Sequence, residues 1–201
     1  MSKLPASFYM QDDVVRLAVE LLGKKIYTMV DGELTGGIIV ETEAYNGVVD
    51  KASHAYGGRF TSRTATMYEP GGLTYVYLCY GIHHLLNVVT GVKGNPHAVL
   101  IRGIEPIVGL PVMLRRRDME KLANRITAGP GSVAKALGVD KALNAKDLQG
   151  DEIWIEESDL VFEPNAIISS PRVGVDYAGD DAFLPWRFYV KGNPYVSKPN
   201  S

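Results

Sequence analysis

The run Val40-Glu41-Thr42-Glu43-Ala44-Tyr45 sets two carboxylates and a tyrosine at alternate positions, and His54, Tyr75, Tyr77 and Tyr80 follow it. On an extended strand successive side chains point to opposite faces, so Glu41, Glu43 and Tyr45 share one face and Thr42 and Ala44 the other. A carboxylate beside flat rings can hold a planar group and activate a water next to it. The chemistry indicated is that of an enzyme acting on a base or a sugar. Glu43 is the stronger of the two acids: apolar Ile38, Ile39 and Val40 precede it, and its strand runs straight into a long loop. Two residues along a strand separate Cα atoms by about 6.6 Å, at roughly 3.3 Å per residue. Paired carboxyl groups about 6.5–9.5 Å apart cleave glycosidic bonds by inversion, so a sugar-directed hydrolase using both glutamates is one reading of this run.

The other candidates are weaker. Tyr75, at an alternate strand position, reads as core packing. Tyr77 and Tyr80 are three apart and face opposite ways on a regular strand, so one lines a pocket while the other projects near Gly81. The adjacent His83 and His84 cannot share a site on a strand, and no paired Cys/His spacing occurs, so neither metal nor cofactor is expected. His54, in the long loop, is placed to give a ligand a hydrogen bond. Gly129-Pro130-Gly131-Ser132 lacks the order of a phosphate loop and reads as a helix cap. No Gly-x-Ser-x-Gly elbow is present. Cys79, the one cysteine, has no base beside it and reads as a small buried hydrophobe of a reducing compartment.

The elements that must position these residues follow from periodicity. Apolar residues recur at helical spacing from Asp12 to Leu22, with Gly23 as the stop. Lys25 to Val30 and Gly36 to Tyr45 read as strands joined at Asp31-Gly32-Glu33, and Asn46 to Gly72 as a long, turn-rich functional loop. Leu73 to Tyr80 and Ala98 to Ile104 are further strands, and Ile107 to Leu122 is helical with an arginine-rich end. A short helix opens at Gly129-Pro130 and closes at Gly138. Ile153 to Ile155, Arg172 to Val175 and Arg187 to Val190 complete the strands. With 201 residues, no repeat and no linker, the pattern is that of one α+β domain over 1–201.

Composition excludes little. The chain is 46% hydrophobic and 22% charged, ordinary for a globular protein. No apolar run approaches the roughly 20 residues that span a bilayer, and no secretion signal is evident, so the expected location is the cytoplasm. A net charge of -2 argues mildly against a protein that coats nucleic acid, which is usually basic.

Taken in order, the motifs resemble those of the alkyladenine (3-methyladenine) DNA glycosylase family, in a compact bacterial-type form. The resemblance runs through Val40-Glu-Thr-Glu-Ala-Tyr45, Ser53-His54, Gly57-Gly58-Arg59, Pro70-Gly71, Tyr75-Val76-Tyr77, Tyr80-Gly81 and Asn87. It continues through Leu100-Ile101-Arg102, Glu105-Pro106, Gly129-Pro130, Arg172-Val173-Gly174-Val175 and Arg187-Phe188-Tyr189-Val190-Lys191-Gly192 with Pro194.

The resemblance implies a single mixed domain around a curved, largely antiparallel sheet. It implies an enzyme that everts alkylated or deaminated purines (3-methyladenine, 7-methylguanine, hypoxanthine, ethenoadenine) from double-stranded DNA and hydrolyses the N-glycosidic bond. Glu43 would be the general base, with Arg102 and the Val173 carbonyl fixing the water. Tyr45, His54, Tyr77, Asn87 and Leu100 would form the base pocket, Asn87 crowding the exocyclic amine of guanine. Tyr80 and Ile82 would enter the duplex, and Arg59 and Arg63 would contact its backbone. Cationic alkylpurines would be attracted to the rings by about 0.5–2 kcal/mol. The matched motifs hold no lysine to form a Schiff base, which implies a monofunctional enzyme, and one flipped nucleotide needs only a monomer. The rivals are the sugar-directed hydrolase and a non-catalytic tyrosine platform that stacks undamaged single strands.

Overall fold

A computed structural model describes residues 2–198; residues 1 and 199–201, the ends of the domain expected over 1–201, lie outside the described residues. The elements are α1 (Ala6–Tyr9), α2 (Val14–Glu20), β1 (Lys25–Val30), β2 (Glu33–Tyr45), β3 (Thr74–Cys79), β4 (His83–Thr90), β5 (His97–Val108), α3 (Leu110–Arg117), α4 (Pro130–Leu137), β6 (Ile153–Glu156), β7 (Ile167–Ser170) and β8 (Arg187–Val190). All the strands join one sheet with the order β3-β4-β5-β2-β1-β6, and β8 bridges β2 to β7. Every pairing is antiparallel, as the α+β reading requires. No helix is long and apolar enough to cross a membrane.

The thirteen-residue β2 is the axis of the fold. One edge of β2 pairs with β5 from Gly36 to Tyr45; the other pairs first with β1 and then, at Glu41 to Glu43, with β8. Helices cover one face. Asp13 caps α2 by accepting from the Arg16 amide at 2.9 Å, and Val14, Leu17 and Ala18 are buried there with Ile39, Val99 and Ile101 of the sheet. The Thr42 hydroxyl, on that face, donates to the Ala18 carbonyl at 2.8 Å. Glu41 and Glu43, on either side of Thr42, therefore point to the opposite face.

Three expectations are corrected. The segment 172–175 is not a strand: Gly174 turns to φ 75°, and the buried Arg172 is pulled toward Asp50 instead. Strand β7, which pairs with β8 on the side away from β2, is absent from the expected strands, because its Ile-Ile-Ser-Ser sequence is too short and too polar to register as one. The helix expected over 107–122 shrinks to α3. Strand β5 runs on to Val108, Pro111 sits in the first turn, and Asp118 ends the helix at φ 54°. Of the cationic block, Arg115 makes an exposed ion pair with Glu33, while Arg116 and Arg117 turn inward and donate to main-chain carbonyls. Strand β4 gave no alternation because Leu85 to Thr90 are all buried.

Candidate active site

The site is laid out by register. Tyr75 pairs with Asn87, Asn87 with Leu100, Leu100 with Glu43, and Glu43 with Arg187, so five strands contribute one residue each to a single transverse row. Directly paired residues share a face, which puts Glu43 and Leu100 on one floor with Asn87 and Tyr75. Next to this row the β2–β5 ladder slips. Glu41 pairs with Gly103 and Thr42 with Ile101, leaving Arg102 as the extra residue of a bulge. A bulge re-aims its side chain, and this one turns the Arg102 guanidinium onto both glutamates. Gly103 is required there, because a Cβ would lie 2.7 Å from the Tyr195 carbonyl oxygen and 3.1 Å from the Glu41 Cβ.

Glu43 is 0% exposed. Its Oε1 accepts from the Val173 amide at 2.8 Å and lies 3.3 Å from Arg102 Nη1, while its Oε2 accepts from the Tyr45 hydroxyl at 2.8 Å. A carboxylate has about two acceptor sites per oxygen, so Oε1 is filled and Oε2 keeps one lone pair. That lone pair can receive a proton. Tyr45 stays a donor, because burial foremost, then the nearby charge of Glu43 and the ring of Tyr77, pushes its hydroxyl pKa well above the ordinary value.

Glu41, equally buried, has a different fate. It accepts from Arg102 Nε at 3.0 Å, Arg187 Nε at 2.7 Å, and both the Ser197 amide and hydroxyl at 2.7 Å. Three of these donors converge on Oε1 and the Ser197 amide takes Oε2, so Glu41 is the countercharge to two guanidiniums and ties β2, β5 and β8 to Ser197. The paired-carboxylate reading needs a second acid free to meet a substrate, whereas Glu41 is bound between two buried arginines.

The loop after β2 is held by Asp50, which accepts from the Asn46 amide and grips Arg172 through both guanidinium nitrogens at 2.5 and 2.9 Å. Arg172 lies 4.9 Å from the centroid of the Tyr45 ring and 5.2 Å from that of Trp186, and donates to the Ala44 carbonyl. Tyr45 is thereby fixed at both ends, by a stacked cation and by Glu43. The same loop presents His54 edge-on to Tyr77, with ring centroids 4.6 Å apart, and with Nδ1 2.9 Å from the Tyr75 hydroxyl. Burial first, then the charges of Arg63 and Arg59, lowers the His54 pKa to about 4, so the ring is neutral at pH 7 and acts through hydrogen bonds. Asn87 is buried and donates to the Tyr75 carbonyl at 3.1 Å.

Tyr80 and Ile82 stand apart, on the tip of the β3–β4 hairpin. The Cys79 carbonyl accepts from the Ile82 amide across a turn with positive φ at both Tyr80 (50°) and Gly81 (71°), the type I′ geometry of tight hairpins. A tyrosine in that region is strained, and Tyr80 is 88% exposed and Ile82 72% exposed. Strand β3 thus ends at Cys79, one residue before the expected boundary. Arg59 and Arg63 are exposed on the loop beside His54.

Sequence reasoning missed Asp50, Arg172 as a clamp on Tyr45, Arg187 and Ser197, and it missed the hydroxyl of Tyr75, which anchors His54 although its ring is core. It also missed Tyr177 and Phe183, exposed rings on the segment 176–183; the Tyr177 hydroxyl donates to the Ala52 carbonyl at 3.0 Å.

Comparison with known proteins gives the class and then the family. A Chlamydia felis protein is 47% identical over 188 residues, covering 93% of this chain and 95% of its own length. A Clostridium acetobutylicum protein is 46% identical over 203 residues, 97% of each chain. A Bacillus cereus protein is 43% identical over 202 residues, 96% of this chain and 98% of its own. All three carry the name 3-methyladenine DNA glycosylase, and the class of enzyme to which the present chain is assigned is the DNA glycosylases of DNA repair. The family profile for methylpurine-DNA glycosylase (MPG) matches residues 7–194, and the chain belongs to that family.

Proposed function

We propose that this enzyme everts single damaged purines from duplex DNA and hydrolyses their N-glycosidic bonds with a water activated by Glu43, leaving an abasic site. Its substrates are alkylated purines such as 3-methyladenine and 7-methylguanine, and the neutral lesions hypoxanthine and ethenoadenine. The observation that carries this reading is a buried carboxylate with one open lone pair, bonded to a tyrosine whose ring is clamped beside it. Glu43 takes one proton of the water, the remaining hydroxyl bonds the anomeric carbon, and the electrons of the broken bond leave with the base. The anion also stabilises the positive charge developing on the sugar.

Arg102 helps to hold the water, as does the Val173 carbonyl, whose adjoining amide already ties that segment to Glu43. The everted base stacks against Tyr45 and Tyr77, with Asn87, Leu100 and His54 at its floor and edge. Tyr80, with Ile82, enters the gap in the duplex, while Arg59 and Arg63 meet phosphates. The enzyme acts as a monomer and has no lyase step.

A duplex carrying one hypoxanthine or ethenoadenine, incubated with the enzyme without added metal, is expected to break at the lesion only after heating in alkali. Intact strands across several lesions, with the protein folded, would refute the reading. Tyr80→Ala is expected to lose about 10–100-fold in excision from a stable duplex but only about threefold from single strands, since the wedge offsets an unstacking cost absent there. Equal losses in the two contexts would remove Tyr80 from that role.

A further inference from the structure

The rings proposed to stack the base are not vacant of charge. Arg172 lies 4.9 Å from the centroid of Tyr45, and on the other ring the guanidinium of Arg63 lies 4.9 Å from the centroid of Tyr77. Arg63 Nη2 is also 3.5 Å from His54 Nε2. With Nε2 facing this donor, the proton of the neutral imidazole sits on Nδ1 and is donated to the Tyr75 hydroxyl.

The two cations differ in their neutralisation. Arg172 is buried and bound bidentate to Asp50, so its charge is balanced in place. Arg63 is exposed, and among the described residues of the free protein the groups beside it, the Tyr77 ring and the neutral His54, carry no charge. Its charge is felt nonetheless, because Arg63 is the leading charged contributor to the depression of the His54 pKa.

From this arrangement we infer that Arg63 is a specificity-determining residue that biases the base pocket against cationic purines and toward neutral ones. The electron-rich face of a ring attracts one cation well, and a second cation nearby both competes for that ring and is repelled by the first. A purine alkylated at N7 carries a positive charge while still attached to the sugar, whereas hypoxanthine does not. Arg63 therefore opposes the attraction between aromatic rings and alkylpurines that the sequence alone suggests.

This inference rests on the proposed glycosylase activity, and its test separates the two. Single-turnover excision of 7-methylguanine and of hypoxanthine is measured in the same duplex context for the wild type, Arg63→Gln and Arg63→Lys. Arg63→Gln lies in an exposed loop segment and removes the charge while keeping polar length. The ratio of the 7-methylguanine rate to the hypoxanthine rate is expected to rise about three- to tenfold in Arg63→Gln, and to stay within about twofold of wild type in Arg63→Lys. The ratio cancels any loss of a phosphate contact, which lowers both rates alike, and comparing it between variants cancels the intrinsic lability of each lesion. Equal falls for both lesions in Arg63→Gln, or the same rise in Arg63→Lys, would overturn the inference. A wild type that releases neither base would overturn the glycosylase reading itself.

Discussion

Excision by Glu43→Gln is expected to fall by about a thousandfold or more, while binding to lesion-containing duplex stays within about threefold of wild type. The hydrogen bonds show why the replacement is tolerated. Oε1 can still accept from the Val173 amide and from Arg102, and the Tyr45 hydroxyl can rotate to accept from the new amide where it now donates. What is lost is the open lone pair of Oε2 and the negative charge opposite the developing oxocarbenium. Single-turnover base release beside a gel-shift titration separates the two quantities. Normal turnover would remove Glu43 from the mechanism, and loss of binding in parallel with rate would make it a binding residue.

Arg172→Met is expected to destabilise the fold by about 3–5 kcal/mol, because it leaves Asp50 buried with no countercharge. Both side chains of this pair are 0% exposed. Arg172 also donates to the carbonyls of Ala44 and Asp181, so the substitution frees acceptors in the strand that carries Glu43 and in the segment 176–183. The cost is read from denaturant unfolding at constant slope. Asp50→Asn on the Arg172→Met background should cost less than the two single changes summed, since the second substitution removes the stranded charge. A loss under about 1 kcal/mol for Arg172→Met would show that water reaches Asp50 and that Tyr45 is held by other means.

How much of this site is legible in the sequence depends on the range of the interaction. Glu43 and Tyr45 are legible because strand alternation is local, and the Thr42 bond to α2 and the Tyr45 bond to Glu43 are both its consequences. The β3–β4 turn is legible from Tyr80-Gly81, though the strain at Tyr80 is not, since the residue type there is what the turn disfavours. Arg102 was reached through family resemblance; its aim depends on a bulge, and no periodicity announces one. The network around Glu41 lies furthest out of reach. Arg187 and Ser197 meet it across 146 and 156 residues, and each reads locally as an ordinary polar residue. The same holds for Asp50 and Arg172, 122 residues apart. Buried charges reveal themselves only when the partner is known, and strand alternation alone does not show that Glu41 is held by two guanidiniums and Ser197.

Crystallography of the Glu43→Gln enzyme on a duplex with one ethenoadenine tests the central claim most directly. The expected density shows an everted purine stacked on Tyr45 and Tyr77, its anomeric carbon facing the position-43 carboxamide, and Tyr80 filling the vacated stack. A lesion still stacked within the helix, or everted into contact with another part of the surface, would contradict it.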